Sequence, residues 1–126
     1  MATPSRSLQA SAVTFAVLSL AHTVSGREWQ ADPRFKSLAR TKAWSCAKVG
    51  WYQGSALFLM TSIIHYQWSR NPLALQDPLN RAVAGVVNAL LWASSGWYFK
   101  NGISDNGWAV GLSAALHAYS VVSNAF

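Results

Sequence analysis

Polar side chains recur at helical spacing inside stretches of this chain that carry no charge. In the last such stretch, His117 shares one helix face with serines, while Thr61 and His65 lie one turn apart in another stretch and Asn88 stands in a third. Polar groups that face lipid are costly, so such faces point to the inside of a helical bundle. We therefore expect His117, Asn88, His65 and Thr61 to line one cavity.

These residue types suit acid–base chemistry. A neutral histidine can give or take a proton near pH 7, and an asparagine amide can donate a hydrogen bond to a developing oxyanion. His117 and Asn88 together predict catalysis by acid–base groups, such as enolisation, isomerisation or cyclisation of a lipophilic substrate. In the alternative interpretation, His117, Asn88 and Thr61 bond to one another and hold the bundle together.

Four further residues are candidates for substrate binding. Trp92 and Tyr119 could form the walls of a site for a flat apolar ligand, and simple packing is the alternative. Tyr52 and Gln53 lie at the predicted level of His22, at the other end of the bundle.

The three histidines do not predict a metal centre. They are spread over different depths, and no carboxylate lies within a span to complete a ligand set. The same depth difference argues against a haem held by two histidines. We predict neither a metal nor a cofactor.

The distribution of charge predicts a membrane protein. Hydrophobic residues make up 52% of the 126 residues and charged residues only 11%. No Asp, Glu, Lys or Arg occurs between Arg6 and Arg27, between Lys48 and Arg70, between Arg81 and Lys100, or after Asp105. Each gap is close to the ~20 residues that a membrane-spanning helix needs. A soluble helical bundle is the alternative, but its helices would need a charged outer face.

The predicted fold is a single all-α domain, a bundle of four transmembrane helices. The helices are expected at about Leu8–Ser25, Val49–Gln67, Pro78–Phe99 and Gly107–Asn124. Residues 1–25 also fit a signal peptide, and we predict a retained first helix instead. The connection 26–48 is the one long loop. It is basic and amphipathic, and Pro33 can begin a short helix over Arg34–Trp44 that lies on the lipid headgroups.

Glycines predict close helix packing. Small residues four apart let helices approach each other in lipid. This pattern occurs at Gly50 and Gly54 and again at Gly107 and Gly111. It fits a compact bundle and a homo-oligomer equally well.

Basic residues predict the orientation. The net charge is +6, and the basic residues flank the spans, which favours contact with membrane lipid over nucleic acid. Seven of the ten Lys and Arg residues fall in the first and third connections; the other three are Arg6, Arg70 and Arg81. The positive-inside rule then places loop 26–48 in the cytosol and both termini in the lumen.

The segments GREWQADPRF and KVGWYQGSALFLMTSIIHYQWSRNP carry a resemblance to known proteins. Around them the chain resembles small four-helix integral membrane proteins of fungi, several of which belong to natural-product gene clusters. It is also similar to an uncharacterised membrane family of bacteria and fungi. Anthrone oxygenases are similar in architecture only, and no residue roles carry over from them.

This resemblance implies a component of a secondary-metabolite biosynthetic pathway in the endoplasmic reticulum. Such a protein would cyclise or isomerise a lipophilic intermediate, or serve as a subunit of a membrane oxidase complex. A non-catalytic scaffold or chaperone for a partner enzyme such as a cytochrome P450 is the alternative. A small transporter is a third possibility, although the spans hold no charge for ion coupling.

Overall fold

The computed structural model describes residues 3–126, which form five α-helices and one 3₁₀ turn. The helices are α1 (Arg6–Gln30), α2 (Pro33–Ser37), α3 (Lys42–Arg70), α4 (Pro78–Lys100) and α5 (Ser104–Ala125), and the 3₁₀ turn Pro72–Gln76 precedes α4. No strand occurs among these residues. The all-α prediction is confirmed, and the four predicted helices correspond to α1, α3, α4 and α5.

Capping side chains set the helix ends. Ser5 accepts a hydrogen bond from the first turn of α1, Thr41 from the first turn of α3, and Asp77 from two amides of α4. Each cap satisfies amides that have no partner inside the helix. The predicted ends at Ser25 and Val49 were wrong, because they followed the apolar stretches. Instead, α1 continues to Gln30, and α3 begins at Lys42, directly after its Thr41 cap.

The connection after α1 is more compact than predicted. The expected helix over Arg34–Trp44 was wrong: α2 ends at Ser37, and Arg40 adopts a positive φ of 69° that breaks the helical path before α3 begins. Asp32 caps α2 and pairs with Arg34 at 3.1 Å. This hydrogen-bonded guanidinium lowers the pKa of the Asp32 carboxyl from its ordinary value.

Two helix pairs build the bundle. α1 packs along α3, α4 packs along α5, and contacts between α1 and α5 join the pairs. The 3₁₀ turn touches α3, α4 and α5 and closes one end. Two apolar clusters fill the interior: Leu8, Trp68, Leu75, Ala84 and Ala125 beside the 3₁₀ turn, and Phe15, Phe58, Leu91, Val110 and Ala114 farther along.

The interior is rich in polar side chains and the surface is rich in apolar ones. The buried polar residues are Ser11, Ser19, Ser55, Thr61, Ser62, His65, Ser69, Ser95, Ser113, His117 and Ser120. The exposed side chains along the long helices include Val13, Val17, Leu20, Leu59, Met60, Ile63, Val86, Leu90, Leu112 and Val122. Soluble proteins show the opposite distribution, with aliphatic residues inside and most serines outside.

Buried serines tie α1 to α3. The Ser62 hydroxyl donates a 2.6 Å hydrogen bond to the carbonyl of Ala12, and the Ser19 hydroxyl donates one of 2.8 Å to the carbonyl of Ser55. Small side chains also let the two backbones come close.

Similar contacts tie α5 to its neighbours. The Ser95 hydroxyl of α4 donates to the Gly107 carbonyl at 2.8 Å. The hydroxyls of Ser11 on α1 and Ser120 on α5 are 2.7 Å apart. Serines therefore link every pair of long helices that packs extensively.

The four glycines singled out as packing positions differ in their surroundings. A Cβ at Gly54 would lie 3.0 Å from His22, one at Gly107 would lie 3.0 Å from a phenylalanine ring of α4, and one at Gly111 would lie 2.8 Å from a serine oxygen of α4. A Cβ at Gly50 would meet nothing within 4 Å. Gly50 therefore makes no close helix contact with residues 3–126.

Along the described helices, α1 is the one that is long and apolar enough to cross a membrane by length and composition. A signal sequence near an N-terminus can have the same length and composition.

A matched pair of glycine substitutions tests the packing of α1 on α3. A Cβ at Gly26 would lie 2.6 Å from the indole Nε1 of Trp51. That ring cannot easily move, because it stacks on His22 at 3.9 Å and donates to the His22 carbonyl at 2.7 Å. Gly26→Ala should therefore cost about 1–3 kcal/mol of unfolding free energy.

Gly50→Ala is the control, since it adds the same methyl group to a helix in open space. It should be neutral or stabilise by about 0.5–1 kcal/mol. Denaturant unfolding in mild detergent measures both. A Gly26→Ala protein as stable as Gly50→Ala would contradict this packing.

Candidate functional site

Two buried histidines meet at the centre of the bundle. His65 on α3 and His117 on α5 approach with 2.8 Å between Nε2 of the first and Nδ1 of the second. The Nε2 of His117 lies 2.9 Å from the carbonyl oxygen of Ala84 on α4. This chain of hydrogen bonds crosses α3, α5 and α4, and we call it the histidine chain.

The partners fix where the protons lie. A carbonyl oxygen only accepts, so His117 carries its proton on Nε2 and donates it to Ala84. No acidic side chain pairs with either ring among residues 3–126, so neither imidazole has a partner to compensate a charge. With both rings neutral, His65 donates from Nε2 to Nδ1 of His117. The Nδ1 of His65 is then an unprotonated acceptor, and it has no partner among the described residues.

Aromatic rings enclose the histidine chain. The Phe15 ring lies 5.4 Å from His65 and 6.2 Å from His117, and Trp68 lies 5.5 Å from His65. His65 has no exposed surface. Its free nitrogen is therefore sealed inside the bundle.

A groove opens beside His117, between α4 and α5. Its volume is about 220 Å³, and it is lined by Arg81, Ala84, Gly85, Asn88, His117, Ala118, Val121, Val122, Ala125 and Phe126. We call it the α4–α5 groove. Most of its lining is apolar, and its size suits part of an extended hydrocarbon rather than a large enclosed ligand.

Asn88 is the polar group of this groove that has no partner. Its Oδ1 is buried and makes no hydrogen bond with residues 3–126. Both ring nitrogens of His117 are already engaged in the histidine chain. The carboxamide of Asn88 can accept or donate, so it can bind a ligand hydroxyl or carbonyl.

Thr61 lies apart from this constellation. It is buried, and its hydroxyl donates to the carbonyl of Leu57 on its own helix at 2.9 Å. Of the four residues expected to share a cavity, the structure brings His65 and His117 into contact and places Asn88 with His117 in the groove.

Trp92 and Tyr119 do not line the groove. They are 49% and 65% exposed. The inward face of α4 is set by Ala84, Leu91 and Ser95, and Trp92 lies to one side of that face at 100° per residue. Tyr119 points away from the core because it stands two residues from buried His117. These two rings therefore do not form walls of the α4–α5 groove, and their predicted role toward a flat apolar ligand stays a prediction.

Tyr52 and Gln53 are exposed on the outer side of α3. At the end of the bundle opposite the 3₁₀ turn, a second cavity of about 270 Å³ opens, and neither Tyr52 nor Gln53 lines it. His22 does line it. The Nδ1 of His22 is 2.9 Å from the Ser55 hydroxyl, and its ring stacks on Trp51.

The described residues contain no group of three or more His, Cys, Asp or Glu side chains that could hold a metal ion. Sequence reasoning missed Arg81, Ala84 and Phe126 as groove residues. A signal was present for Arg81, since it precedes Asn88 by seven residues and so shares its helix face.

No known protein family, curated protein or solved structure matches this chain. The resemblance carried by the segments around Gly26 and Gly50 stays a prediction from the sequence.

A double-mutant cycle tests the histidine chain. His65→Leu leaves Nδ1 of His117 without a donor, and His117→Leu leaves the His65 ring unpaired and removes the side-chain donor to the Ala84 carbonyl. Each single change should cost about 1–3 kcal/mol of unfolding free energy. The double variant should cost less than the sum by about 1 kcal/mol or more, because it removes both partners together. Additive losses in detergent-based unfolding would contradict a direct His65–His117 bond.

Proposed function

We propose that this chain is an integral membrane protein whose helices α1, α3, α4 and α5 all span the bilayer. Its polar interior and apolar surface support this, since lipid solvates exposed aliphatic side chains while buried hydroxyls bond between helices. The four helices have 25, 29, 23 and 22 residues, and each exceeds the ~20 needed to cross.

The inward-facing residues explain why mean hydropathy is modest in three of these helices. Buried serines in all three helices, together with the buried histidines of α3 and α5, lower the average without adding charge to the central parts of these helices. The side chains that would meet lipid on these helices, such as Leu59, Ile63, Leu90 and Leu112, are aliphatic. The face that meets lipid, rather than the average, determines whether a helix in a bundle is stable there.

The orientation we propose follows the basic residues. Loop 26–48 lies in the cytosol and the termini lie in the lumen, in the membrane of the endoplasmic reticulum. Cys46, which is exposed near the start of α3, is a native thiol that can report on the cytosolic side.

Maleimide labelling of intact microsomes tests both span number and orientation. Cys46 should react with a membrane-impermeant maleimide from outside, and so should Asn101→Cys in a Cys46→Ser background. Asn71→Cys in that background should react only after the membrane is permeabilised, because four spans place it on the lumenal side. If α1 alone spanned the membrane, positions 46, 71 and 101 would all label alike.

The activity we propose is binding and presentation of a lipophilic small molecule in the α4–α5 groove. The unpaired Oδ1 of Asn88, on a side chain that lines a mostly apolar groove, carries this proposal. Acid–base catalysis has less support, because His117 would first have to release Ala84 or His65 before it could exchange a proton with a ligand. The place in a secondary-metabolite pathway rests on the resemblance alone.

Blocking the groove tests this activity. Gly85 lines it, and a Cβ there meets nothing within 4 Å, so Gly85→Leu should fold while its side chain fills the groove. The probe is a long-chain alcohol that carries a diazirine, added to protein in phosphatidylcholine nanodiscs. Photolabelling of α4 and α5 peptides, read by mass spectrometry, should fall about ten-fold.

Gly96→Leu is the matched control. Gly96 lies on the same helix, also in open space, and does not line the groove. Its labelling should equal that of the unsubstituted protein. Equal labelling of Gly85→Leu and Gly96→Leu would contradict ligand binding in the groove.

A scaffold for a partner membrane enzyme, or a homo-oligomer, is the second candidate. It is favoured by an exposed row of small residues along α4: Ala82, Gly85, Ala89, Ala93 and Gly96. Such rows let a second helix approach closely in lipid. Loss of a co-purifying partner in Gly96→Leu, with photolabelling intact, would separate this role from ligand binding.

A further inference from the structure

Arg81 stands in the same groove as Asn88, toward the start of α4. The two residues are seven apart, so they share one helix face and are separated along the helix axis by about 10 Å. The Nε of Arg81 donates to the Leu75 carbonyl of the 3₁₀ turn at 2.9 Å, and the guanidinium lies 5.2 Å from the centre of the Phe126 ring. These contacts hold the guanidinium at one end of the groove.

The charge of Arg81 has no acidic partner among residues 3–126, where the one ion pair joins Arg34 to Asp32. Asp77, one turn earlier, uses its Oδ1 to accept from the amides of Leu79 and Asn80. Arg81 makes no side-chain hydrogen bond within this part of the chain other than the one to Leu75. Its terminal N–H groups are therefore available to an anion.

The groove between these two polar groups is apolar. Gly85 leaves open space on α4, and Val121 and Val122 of α5 line the same groove. Along the groove, Arg81 comes first, the apolar lining next and Asn88 last. A matching ligand has an anionic head, an apolar stretch of about 10 Å, and then a group that hydrogen-bonds to Asn88.

We infer that the groove selects an anionic amphiphile, with a carboxylate or phosphate head on Arg81 and a hydrocarbon chain running toward Asn88. This inference rests on the proposed ligand site and specifies its ligand class. A guanidinium binds carboxylate and phosphate oxygens through paired N–H donors, which a neutral head group cannot match. The anion can come from a free lipophilic acid or from a membrane phospholipid.

The experiment compares a diazirine-bearing long-chain carboxylic acid with its methyl ester in phosphatidylcholine nanodiscs. The acid should label α4 and α5 peptides about ten-fold more than the ester does, since charge-assisted hydrogen bonds favour it. Arg81→Gln should bring this ratio close to one, and Arg81→Lys should keep a preference for the acid. The ratio is internal to each protein, so a partial loss of folded protein does not alter it.

A second arm identifies the source of the anion. Nanodiscs that contain phosphatidylglycerol should compete with the acid if a phospholipid head group is the natural occupant, and should leave labelling unchanged if a free acid is; either result supports an anion site. Equal labelling by acid and ester, or an unchanged ratio in Arg81→Gln, would overturn the inference. In that case, labelling by the neutral alcohol would show what remains. Labelling that still depended on Gly85 would leave the ligand site intact and remove only the preference for an anion, whereas loss of all labelling would remove the ligand site as well.

Discussion

The hydrogen bond between His65 and His117 is the contact on which the arrangement of this bundle depends most. The backbones of α3 and α5 have little direct contact, because α3 packs on α1 and α5 packs on α4. The histidine chain spans that gap and continues to the Ala84 carbonyl. It therefore fixes α3 against the α4–α5 pair. It also holds the His117 ring in place, and this ring is part of the groove lining.

The rest of the interior follows the same physical rule. In the bilayer that we propose for this chain, association of helices gains little from burial of apolar surface, so it depends on close approach and on hydrogen bonds. Serines at the α1–α3, α1–α5 and α4–α5 contacts supply both. Three buried polar atoms break this pattern, because they lack partners within residues 3–126: Nε1 of Trp29, Nδ1 of His65 and Oδ1 of Asn88. Aromatic rings surround His65, whereas the Asn88 side chain lines the α4–α5 groove, and for this reason we propose a structural role for His65 and a ligand-binding role for Asn88.

The sequence predicted the helices well and the site only in part. Charge-free stretches locate α1, α3, α4 and α5, since each stretch falls almost entirely inside one of these helices. They do not locate helix ends, which depend on caps such as Thr41. Spacing along one helix placed His117 and Asn88 on inward faces, but Trp92 is turned outward, because its phase depends on which side α5 packs against. Gly26 was missed, because its close approach to Trp51 arises only when two helices have been placed side by side.

The most direct test of this account is nitrogen-15 NMR of the protein in nanodiscs, with the histidine rings labelled. Protonated and unprotonated ring nitrogens have well separated chemical shifts, and a hydrogen bond between two rings gives a through-bond coupling. We expect a proton on Nε2 of both His65 and His117, an unprotonated Nδ1 on each ring, and a coupling from Nε2 of His65 to Nδ1 of His117. A proton on Nδ1 of His117, a doubly protonated ring, or no coupling between the two histidines would contradict it.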